Sequence, residues 1–205
     1  MGHVLGLARL IRWCAVPLGF VAAMPAAVGS PPPQVAICAA CHAPDGNSVV
    51  PDNPKLAGLD ADYLERQLKH FKSGDRKSPI MSGMVAALSA EDMRNLAEYF
   101  ASQTAKPGVG FEASELAKGK LIFDEGLVAA AVPACSGCHG SDGVGDGKYP
   151  RLAGQHPSYV EKQLLAFKSG ERANDLKGAM SAVAKRLSEA DIRAAAHYVA
   201  SMKEE

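Results

Sequence analysis

One five-residue motif occurs twice in this 205-residue sequence and constrains its fold more than any other feature. The first copy, CAACH, spans 38–42, and the second, CSGCH, spans 135–139. Cys-x-x-Cys-His is the attachment signature of a c-type haem, because both thiols can add to vinyl groups of one porphyrin and the imidazole can then bind its iron. We therefore predict two covalently bound haem c groups. The predicted thioether residues are Cys38, Cys41, Cys135 and Cys138, and the predicted iron ligands are His42 and His139.

Three further segments follow each motif in the same order. They are PKLAG at 54–58 and PRLAG at 150–154, YLERQL at 63–68 and YVEKQL at 159–164, and FKSGDR at 71–76 and FKSGER at 167–172. The second copy follows the first by 97 residues at the cysteines and by 96 residues through these segments. Repeats this far apart indicate two copies of a whole domain, not a solenoid of short units. The sequence therefore predicts a tandem duplication.

Apolar residues within each half recur at helical spacing. Leu64, Leu68 and Phe71 share one face of a predicted helix, and Gly74 stands where a C-terminal cap is expected. Ser89 and Ser188 each precede an acidic residue by two or three positions, as N-terminal caps do. No segment alternates with the period of a strand, so we predict an all-α fold with little or no strand.

The chain is expected to divide into four segments. They are a signal peptide at 1–29, a first haem domain at 30–104, a linker at 105–111 and a second haem domain at 112–205. The first segment has basic residues, no acidic residue, and an apolar run that ends in small residues, as secretory signals do. Prolines interrupt this run, and a spanning helix needs about 20 apolar residues. We therefore expect cleavage and export to the periplasm, with a retained anchor as the alternative.

Methionines in matching positions are the candidates for the sixth iron ligand. Met180 lies seven residues before a Leu-Ser pair, and the second half has no other methionine except Met202 near the terminus. The first half contains Met81, Met84 and Met93, of which only Met81 lies seven residues before its Leu-Ser pair. We predict Met81 and Met180 as axial ligands and expect Met84 and Met93 to be packing residues. A thioether opposite imidazole raises the reduction potential and closes the iron to oxygen.

Two prolines are candidate hydrogen-bond partners of the iron-binding histidines. Pro54 and Pro150 follow their motifs at similar distances, and their carbonyl oxygens could accept the Nδ1–H of His42 and His139. A loop-stiffening role explains these prolines equally well.

Other polar residues receive weaker predictions. Lys55 and Arg151 could pair with haem propionates, but we expect solvated surface charges. Repeated tyrosine and glutamine residues could also reach propionates, although a packed helix face explains their spacing; they are Tyr63, Gln67, Tyr159 and Gln163. Three histidines do not recur between the halves and are not expected to be ligands; they are His70, His156 and His197.

The composition and spacing argue against other protein classes. The 22 basic and 22 acidic residues form no basic stripe, so nucleic acid is not an expected partner. A zinc site joining the two Cys-x-x-Cys pairs is disfavoured because 94 positions separate Cys41 from Cys135. A thioredoxin-like dithiol is disfavoured because no βαβ pattern surrounds either pair.

These motifs together resemble the cytochrome c4 family of dihaem periplasmic electron carriers. The resemblance covers nearly all of 34–205 and rests on both CxxCH motifs, the PKLAG and PRLAG segments, the Tyr-x-x-x-Gln-Leu helices and the Met segments. It implies two class I cytochrome c domains whose His/Met haems face one another across a pseudo-two-fold interface, with propionates near the contact. The first domain departs from the family in having only about eight residues between the predicted cleavage site and Cys38.

The resemblance implies an electron carrier and no catalytic residue. Single electrons would pass from a bc1-type complex to a terminal oxidase or another acceptor, with possible peripheral association of the protein with the membrane. The main alternative is the electron-accepting subunit of a dehydrogenase, for example a sulfide dehydrogenase. A dihaem enzyme such as a peroxidase is a further alternative, and it would need one haem with an open or replaceable ligand position.

Overall fold

The computed structural model describes residues 1–3 and 30–203 of the chain. It divides into two compact units, Met1–Ser30 and Pro31–Glu205, and the second unit contains both CxxCH motifs. Most of the predicted signal peptide at 1–29 lies outside the described residues. Among the helices described, none has both the length and the apolar character needed to cross a bilayer.

The described part of the second unit is helical. The first half contains α1 (Val35–His42), α2 (Ala61–Ser73), α3 (Pro79–Val85) and α4 (Ala90–Ala101). The second half contains α5 (Ala113–Asp124), α6 (Ser136–His139), α7 (Pro157–Ser169), α8 (Ala179–Arg186) and α9 (Glu189–Ser201), with 3-10 turns at Val128–Ala130 and Leu176–Gly178. Within 30–203, β pairing is limited to one isolated bridge between Leu127 and Val132. The all-α prediction is confirmed.

The predicted caps are present at the helix ends. Ser89 begins α4 and Ser188 begins α9, and each closes a capping box with the aspartate three residues later. Gly74 ends α2 and Gly170 ends α7, both at positive φ, where the missing Cβ removes the usual steric penalty. The repeated sequence therefore sets the same boundaries for α2 and α7 and the same start for α4 and α9.

Each half has its own apolar core. In the first half, Leu64 of α2 packs with Leu96 and Phe100 of α4. In the second half, Ile122 of α5 and Ile192 of α9 are fully buried in one cluster. Burying one such side chain contributes about 1.5–3 kcal/mol, so each half gains much of its stability from its own helix pairs.

The helices α5 and α9 approach each other closely at Gly119. A Cβ at Gly119 would lie 2.2 Å from the backbone oxygen of Ala194 and 2.5 Å from Cβ of Tyr198. Only glycine allows the two backbones to come this near. The crossing fixes α5 on α9 and therefore holds the segment that leads into the second CxxCH motif.

Hydrogen bonds also join the two halves directly. The Gln155 side chain accepts from the Lys55 backbone N–H at 2.9 Å and donates to the Lys55 carbonyl at 3.0 Å. His156, the N-cap residue of α7, is only 2 % exposed, and its Nε2 lies 2.9 Å from Ser48 O. These contacts place the loop before α7 against the loop that follows the first motif.

Two predicted surface charges are buried instead. Lys55 is 8 % exposed, and its Nζ donates to the carbonyl oxygens of Lys106 and Pro107 at 3.0 and 2.7 Å. Arg151 is 9 % exposed, and its Nε donates to Ala153 O. The expectation of solvated charges was wrong, because docking of the halves and the linker covers both side chains.

Candidate haem-binding sites

Both CxxCH motifs lie at the C-terminal ends of short helices. The first occupies the last turns of α1, and the second runs from the N-cap of α6 through its last residue. Cysteines three positions apart lie on the same side of a helix, which allows both thiols to face one group. Cys38 and Cys135 are half-buried, whereas Cys41 and Cys138 are exposed.

The motif histidines are buried and each bonds a proline carbonyl. His42 Nδ1 lies 2.8 Å from Pro54 O, and His139 Nδ1 lies 2.9 Å from Pro150 O. Burial lowers the pKa of both imidazoles, and the bond to the proline carbonyl opposes this shift only partly. The geometry favours neutral rings that donate from Nδ1 and leave Nε2 as the metal-binding atom.

One continuous cavity of about 1990 Å³ is lined by both motifs. Small-molecule sites usually have about 300–1,000 Å³, so this space exceeds that of a single ordinary ligand. Its walls include both motif histidines, all four motif cysteines, and apolar side chains from α2, α3, α4, α7, α8 and α9. Among the described side chains, His139 Nε2 is the buried polar atom that has no hydrogen-bond partner. A large apolar space with an unpartnered imidazole nitrogen fits a metalloporphyrin.

Met81 is held in the cavity wall at the start of α3. Ser78 caps this helix by accepting from Met81 N at 3.3 Å, and Pro79 occupies the first turn. Ser82 Oγ donates to Phe71 O at 3.1 Å and ties α3 to α2. The methionine therefore lies on a capped helix that is attached to its neighbour.

Met180 lies in the cavity wall near the start of α8, and a different set of hydrogen bonds holds its segment. The segment between Arg172 and Met180 is three residues longer than its counterpart in the first half, and it contains Asp175. The Asp175 carboxylate accepts from Ser181 N and Ser181 Oγ, both at 3.0 Å. In both halves a serine directly after the methionine anchors the segment, and Met-Ser recurs at both positions in the sequence.

The other two first-half methionines differ from each other. Met93 is 4 % exposed in the core, as expected of a packing residue. Met84 is 50 % exposed and lines the same cavity as Met81. The expectation that Met84 packs in the core was wrong, since α3 presents it at the mouth of the cavity. The repeat register still favours Met81 as the axial ligand.

The first thiol of each motif, in Cys38 and in Cys135, is a poor candidate for thiolate chemistry. Burial raises the pKa of Cys135 to about 11 and also raises the pKa of Cys38. Redox-active and metal-binding cysteines need a lowered pKa. In the part of the chain that the structure describes, no cluster of three or more His, Cys, Asp or Glu side chains could hold a metal ion.

An arginine from each half reaches across to the other half. Arg76 donates to Tyr159 Oη and Gln163 Oε1, both at 2.9 Å. Arg172 donates to Tyr63 Oη at 3.4 Å and to Gln67 Oε1 at 3.3 Å. These six residues form what we call the crossed arginine cluster, and all of them line the cavity. The repeated segments predicted no role for these two arginines, although their recurrence at matching positions was the available signal.

Comparison with known proteins is consistent with this architecture. The family model for Cytochrome c matches residues 35–104 and 116–203. Cytochrome c4 of Pseudomonas aeruginosa is 41% identical over 169 residues, which cover 81% of this chain and 84% of the relative. The chain belongs to the cytochrome c4 family.

Two further matches extend the comparison within and around the cytochrome c4 family. The crystal structure of reduced recombinant cytochrome c4 from Pseudomonas stutzeri superposes with a TM-score of 0.79 at 39% identity, covering 83% of this chain and 95% of that chain. A protein of Thiomonas intermedia named thiosulfate dehydrogenase electron acceptor is 37% identical and covers 87% of this chain and 84% of its own length. As a cytochrome c4 family member, the chain is an all-α electron-transfer protein with two cytochrome c domains and covalently bound haem c.

Proposed function

We propose that this protein is a periplasmic dihaem cytochrome that carries single electrons between redox proteins. The observation that carries the proposal is the matched construction of the two halves. Each half brings a CxxCH histidine with Nδ1 on a proline carbonyl, and the register-matched methionine, to the wall of the same cavity. When bound, each haem c supplies a one-electron Fe(III)/Fe(II) couple.

The chain's own residues would hold and orient these groups. Cys38, Cys41, Cys135 and Cys138 would form the thioethers, and His42 with Met81 and His139 with Met180 would be the axial ligand pairs. Pro54 and Pro150 would fix the imidazole planes through the Nδ1 bonds described above, because an imidazole with one anchored nitrogen presents the other in a fixed direction. No side chain would act as acid, base or nucleophile.

Haem stoichiometry and ligation test this proposal. Protein from a host that matures c-type haem should contain two haems per chain by the pyridine haemochrome assay. The ferric spectrum should show the far-red methionine–iron band at the intensity of two centres, and carbon monoxide should bind neither native haem. One haem per chain, or carbon monoxide binding to one native haem, would contradict a closed dihaem carrier and favour a dihaem enzyme.

A second candidate is an electron-accepting partner of a dehydrogenase. The relative from Thiomonas intermedia, named thiosulfate dehydrogenase electron acceptor, supports this candidate beside the carrier between a bc1-type donor and a terminal oxidase. Stopped-flow reduction of the oxidised protein by a thiosulfate dehydrogenase and by a bc1 complex would discriminate the two. We expect the physiological donor to reduce it at a rate that falls as ionic strength rises, since docking of redox proteins is steered by charge.

Export is part of the proposal. Mass spectrometry of the mature protein from a periplasmic extract should show loss of the segment 1–29. A mature protein that keeps this segment and sediments with membranes would instead support a retained anchor.

A further inference from the structure

A lysine at the end of α2 and its counterpart at the end of α7 bond the same point of the chain in each half. Lys72 Nζ donates to Leu88 O, and Lys168 Nζ donates to Leu187 O. Each acceptor is the residue directly before the serine that caps α4 or α9. We call these two hydrogen bonds the lysine braces. They join the last turn of α2 to the start of α4, and the last turn of α7 to the start of α9.

Each brace encloses the segment that carries the predicted axial methionine. Met81 lies between the two ends of the first brace, which are 16 positions apart, and Met180 lies between those of the second, which are 19 positions apart. The bond forms in both halves although the enclosed segment is three residues longer in the second. The acceptor is therefore set by where the methionine-bearing helix ends, and not by a fixed number of residues.

The acceptor carbonyls lie at the ends of α3 and α8, where a helix lacks internal donors. The last four carbonyl groups of an α-helix have no intrahelical partner, and a positive charge there interacts favourably with the helix dipole. Leu187 is the C-cap residue of α8, and Lys168 Nζ also donates to Lys185 O in the last turn at 3.5 Å. Leu88 lies in the turn after α3, and its N–H donates to Val85 O at 3.1 Å. Each ammonium therefore supplies a donor that the methionine-bearing helix lacks at its end.

The beginning of each methionine-bearing helix is held as well. Ser82 Oγ donates to Phe71 O at 3.1 Å, and Phe71 directly precedes Lys72, so one turn of α2 bonds α3 at its beginning and just beyond its end. In the second half the Asp175 carboxylate holds the beginning of α8, and Lys168 supplies the bond from α7 at its end. A helix held at both ends has to break one of these bonds before it can carry its methionine out of the cavity wall.

The two braces differ in their exposure to water. Lys72 is exposed, whereas Lys168 is half-buried, lines the cavity and bonds a residue that is 2 % exposed. A hydrogen bond from a charged donor is stronger where water is excluded, and its loss leaves an acceptor that has little access to water. We therefore expect the second brace to contribute more to holding its segment than the first.

We propose that Lys72 and Lys168 are positioning residues that hold Met81 and Met180 on the haem irons. The inference rests on the proposed function, because it takes these methionines as the axial ligands. Each lysine acts through the helix that carries the methionine and not as a ligand. When a brace is lost, the segment is open in a larger fraction of molecules, and an added ligand that binds only the open form gains apparent affinity by the same factor.

Imidazole titration of the ferric holoprotein tests this inference. Imidazole binds the iron in place of methionine, so the loss of the far-red band measures how readily the segment opens. The band of M81A comes from the second haem alone and that of M180A from the first, which assigns each effect to one half. K168L in the M81A background should lower the apparent dissociation constant for imidazole about tenfold. K72L in the M180A background should lower it about threefold, since Lys72 is exposed.

Matched variants separate loss of the brace from loss of charge. K168R and K72R keep a cationic donor and should leave the dissociation constant near that of their parent protein. Lys69 is exposed, lies one turn before Lys72 on α2 and pairs with Glu65 at 2.6 Å, so K69L in M180A removes the same charge without removing a brace. The dissociation constant should not change in K69L, and a shift there equal to that of K72L would contradict the brace. Leucine is the replacement because methionine would add a second thioether near the haem.

Urea unfolding of K168L and K72L distinguishes positioning from a purely structural role. A shift in the imidazole dissociation constant that arginine reverses supports the brace of that half. A lowered free energy of unfolding with an unchanged dissociation constant in both halves would overturn the inference and leave the carrier proposal standing. If K168L does not accumulate, K72L at its exposed position decides the outcome by the same criterion. Absence of the far-red band from the unsubstituted protein would instead contradict the proposed methionine ligation, so the two failures are distinguishable.

Discussion

The two halves share a sequence repeat but support their haem motifs differently. The second half precedes its motif with α5, which crosses α9 at Gly119, whereas between residue 30 and the first motif the described chain has only the start of α1. α9 accordingly has seven buried residues and α4 has four. Duplication has conserved the ligand positions and the caps, while the packing that holds them has diverged.

The segments that carry the methionines differ in the same way. In the first half a serine cap and a proline start α3, and in the second the Asp175 carboxylate accepts from Ser181 and holds the start of α8. The longer segment before α8 also contains Asn174, whose side chain donates to Gln67 Oε1 in the first half at 2.9 Å. The segment that carries the methionine can thus be held by local capping, as in the first half, or with additional contacts to the other half, as in the second.

Removal of the predicted axial methionines is expected to have the largest effect. M81A and M180A should each remove about half of the far-red ferric band and open one haem to carbon monoxide, because a thioether no longer closes the iron. Absorption spectroscopy of the ferric protein and carbon monoxide titration of the ferrous protein measure this.

M84A is the matched control for the methionine pair. Met84 lies one helical turn beyond Met81 on α3 and lines the same cavity, so it tests the register argument directly. A loss of band intensity in M84A with M81A unaffected would reassign the first-half ligand.

Overpacking the crossing of α5 and α9 is expected to destabilise only the second half. In G119V the new side chain would meet the backbone of α9, and we expect the free energy of unfolding to fall by about 3 kcal/mol or more. Urea titration followed by circular dichroism and by each haem's spectrum should show the second half unfolding first.

A helical glycine of the first half provides the comparison for this variant. Gly83 in α3 has no atom within 4 Å of its added Cβ, so G83A should stabilise the protein by about 0.5–1 kcal/mol. Equal destabilisation by G83A and G119V would show that the α5–α9 crossing does not distinguish the packing of the second half from that of the first.

Making the two halves alike at the interface is expected to weaken their contact. Q155L introduces the residue type that the repeat has at Leu59, and it leaves the backbone N–H and C=O of Lys55 without their partners. An unsatisfied buried group costs about 1–3 kcal/mol, so the joint unfolding transition should separate into two. Ser158 also bonds across the halves, to Pro51 O, but it does so at an exposed position, and S158A should cost no more than about 0.5 kcal/mol.

The smallest expected difference between the halves is in how much folding stability each capping aspartate contributes as the pH falls. Burial raises the pKa of Asp191, but hydrogen bonds from Lys118 and Ser188 outweigh burial and lower it; Asp92 has a lowered pKa through Ser89. A carboxyl whose folded pKa is depressed stabilises the fold above its unfolded pKa of about 3.9 and loses this contribution as the pH falls through the folded value.

D191N should therefore lower stability at neutral pH by about 1 kcal/mol or less and should flatten the loss of stability below about pH 4. D92N should behave likewise with a smaller amplitude, since Asp92 lacks the ion pair that Asp191 makes with Lys118 at 2.7 Å. Thermal melts between acidic and neutral pH measure both slopes, and a larger effect in D92N would reverse the expected ranking.

The sequence alone determined what is local. The CxxCH spacing, the repeat register, the serine and glycine caps and the apolar stripes of α2 and α4 all depend on residues within a few turns of one another, so pattern and chemistry predict them. The repeat also offered the approach of Pro54 and Pro150 to their histidines as one of two explanations for these prolines, and the Nδ1 to carbonyl distances distinguish it from a loop-stiffening role alone.

Only the tertiary structure decided what depends on the docking of the halves. Lys55 is buried, Gln155 binds the backbone of the other half, and Arg76 and Arg172 exchange partners across the interface. These contacts join residues about 100 positions apart, and no local periodicity specifies which faces of two folded domains meet. Met84 is exposed for a related reason, since the path of α3 along the cavity, and not its sequence, sets which side chains point inward.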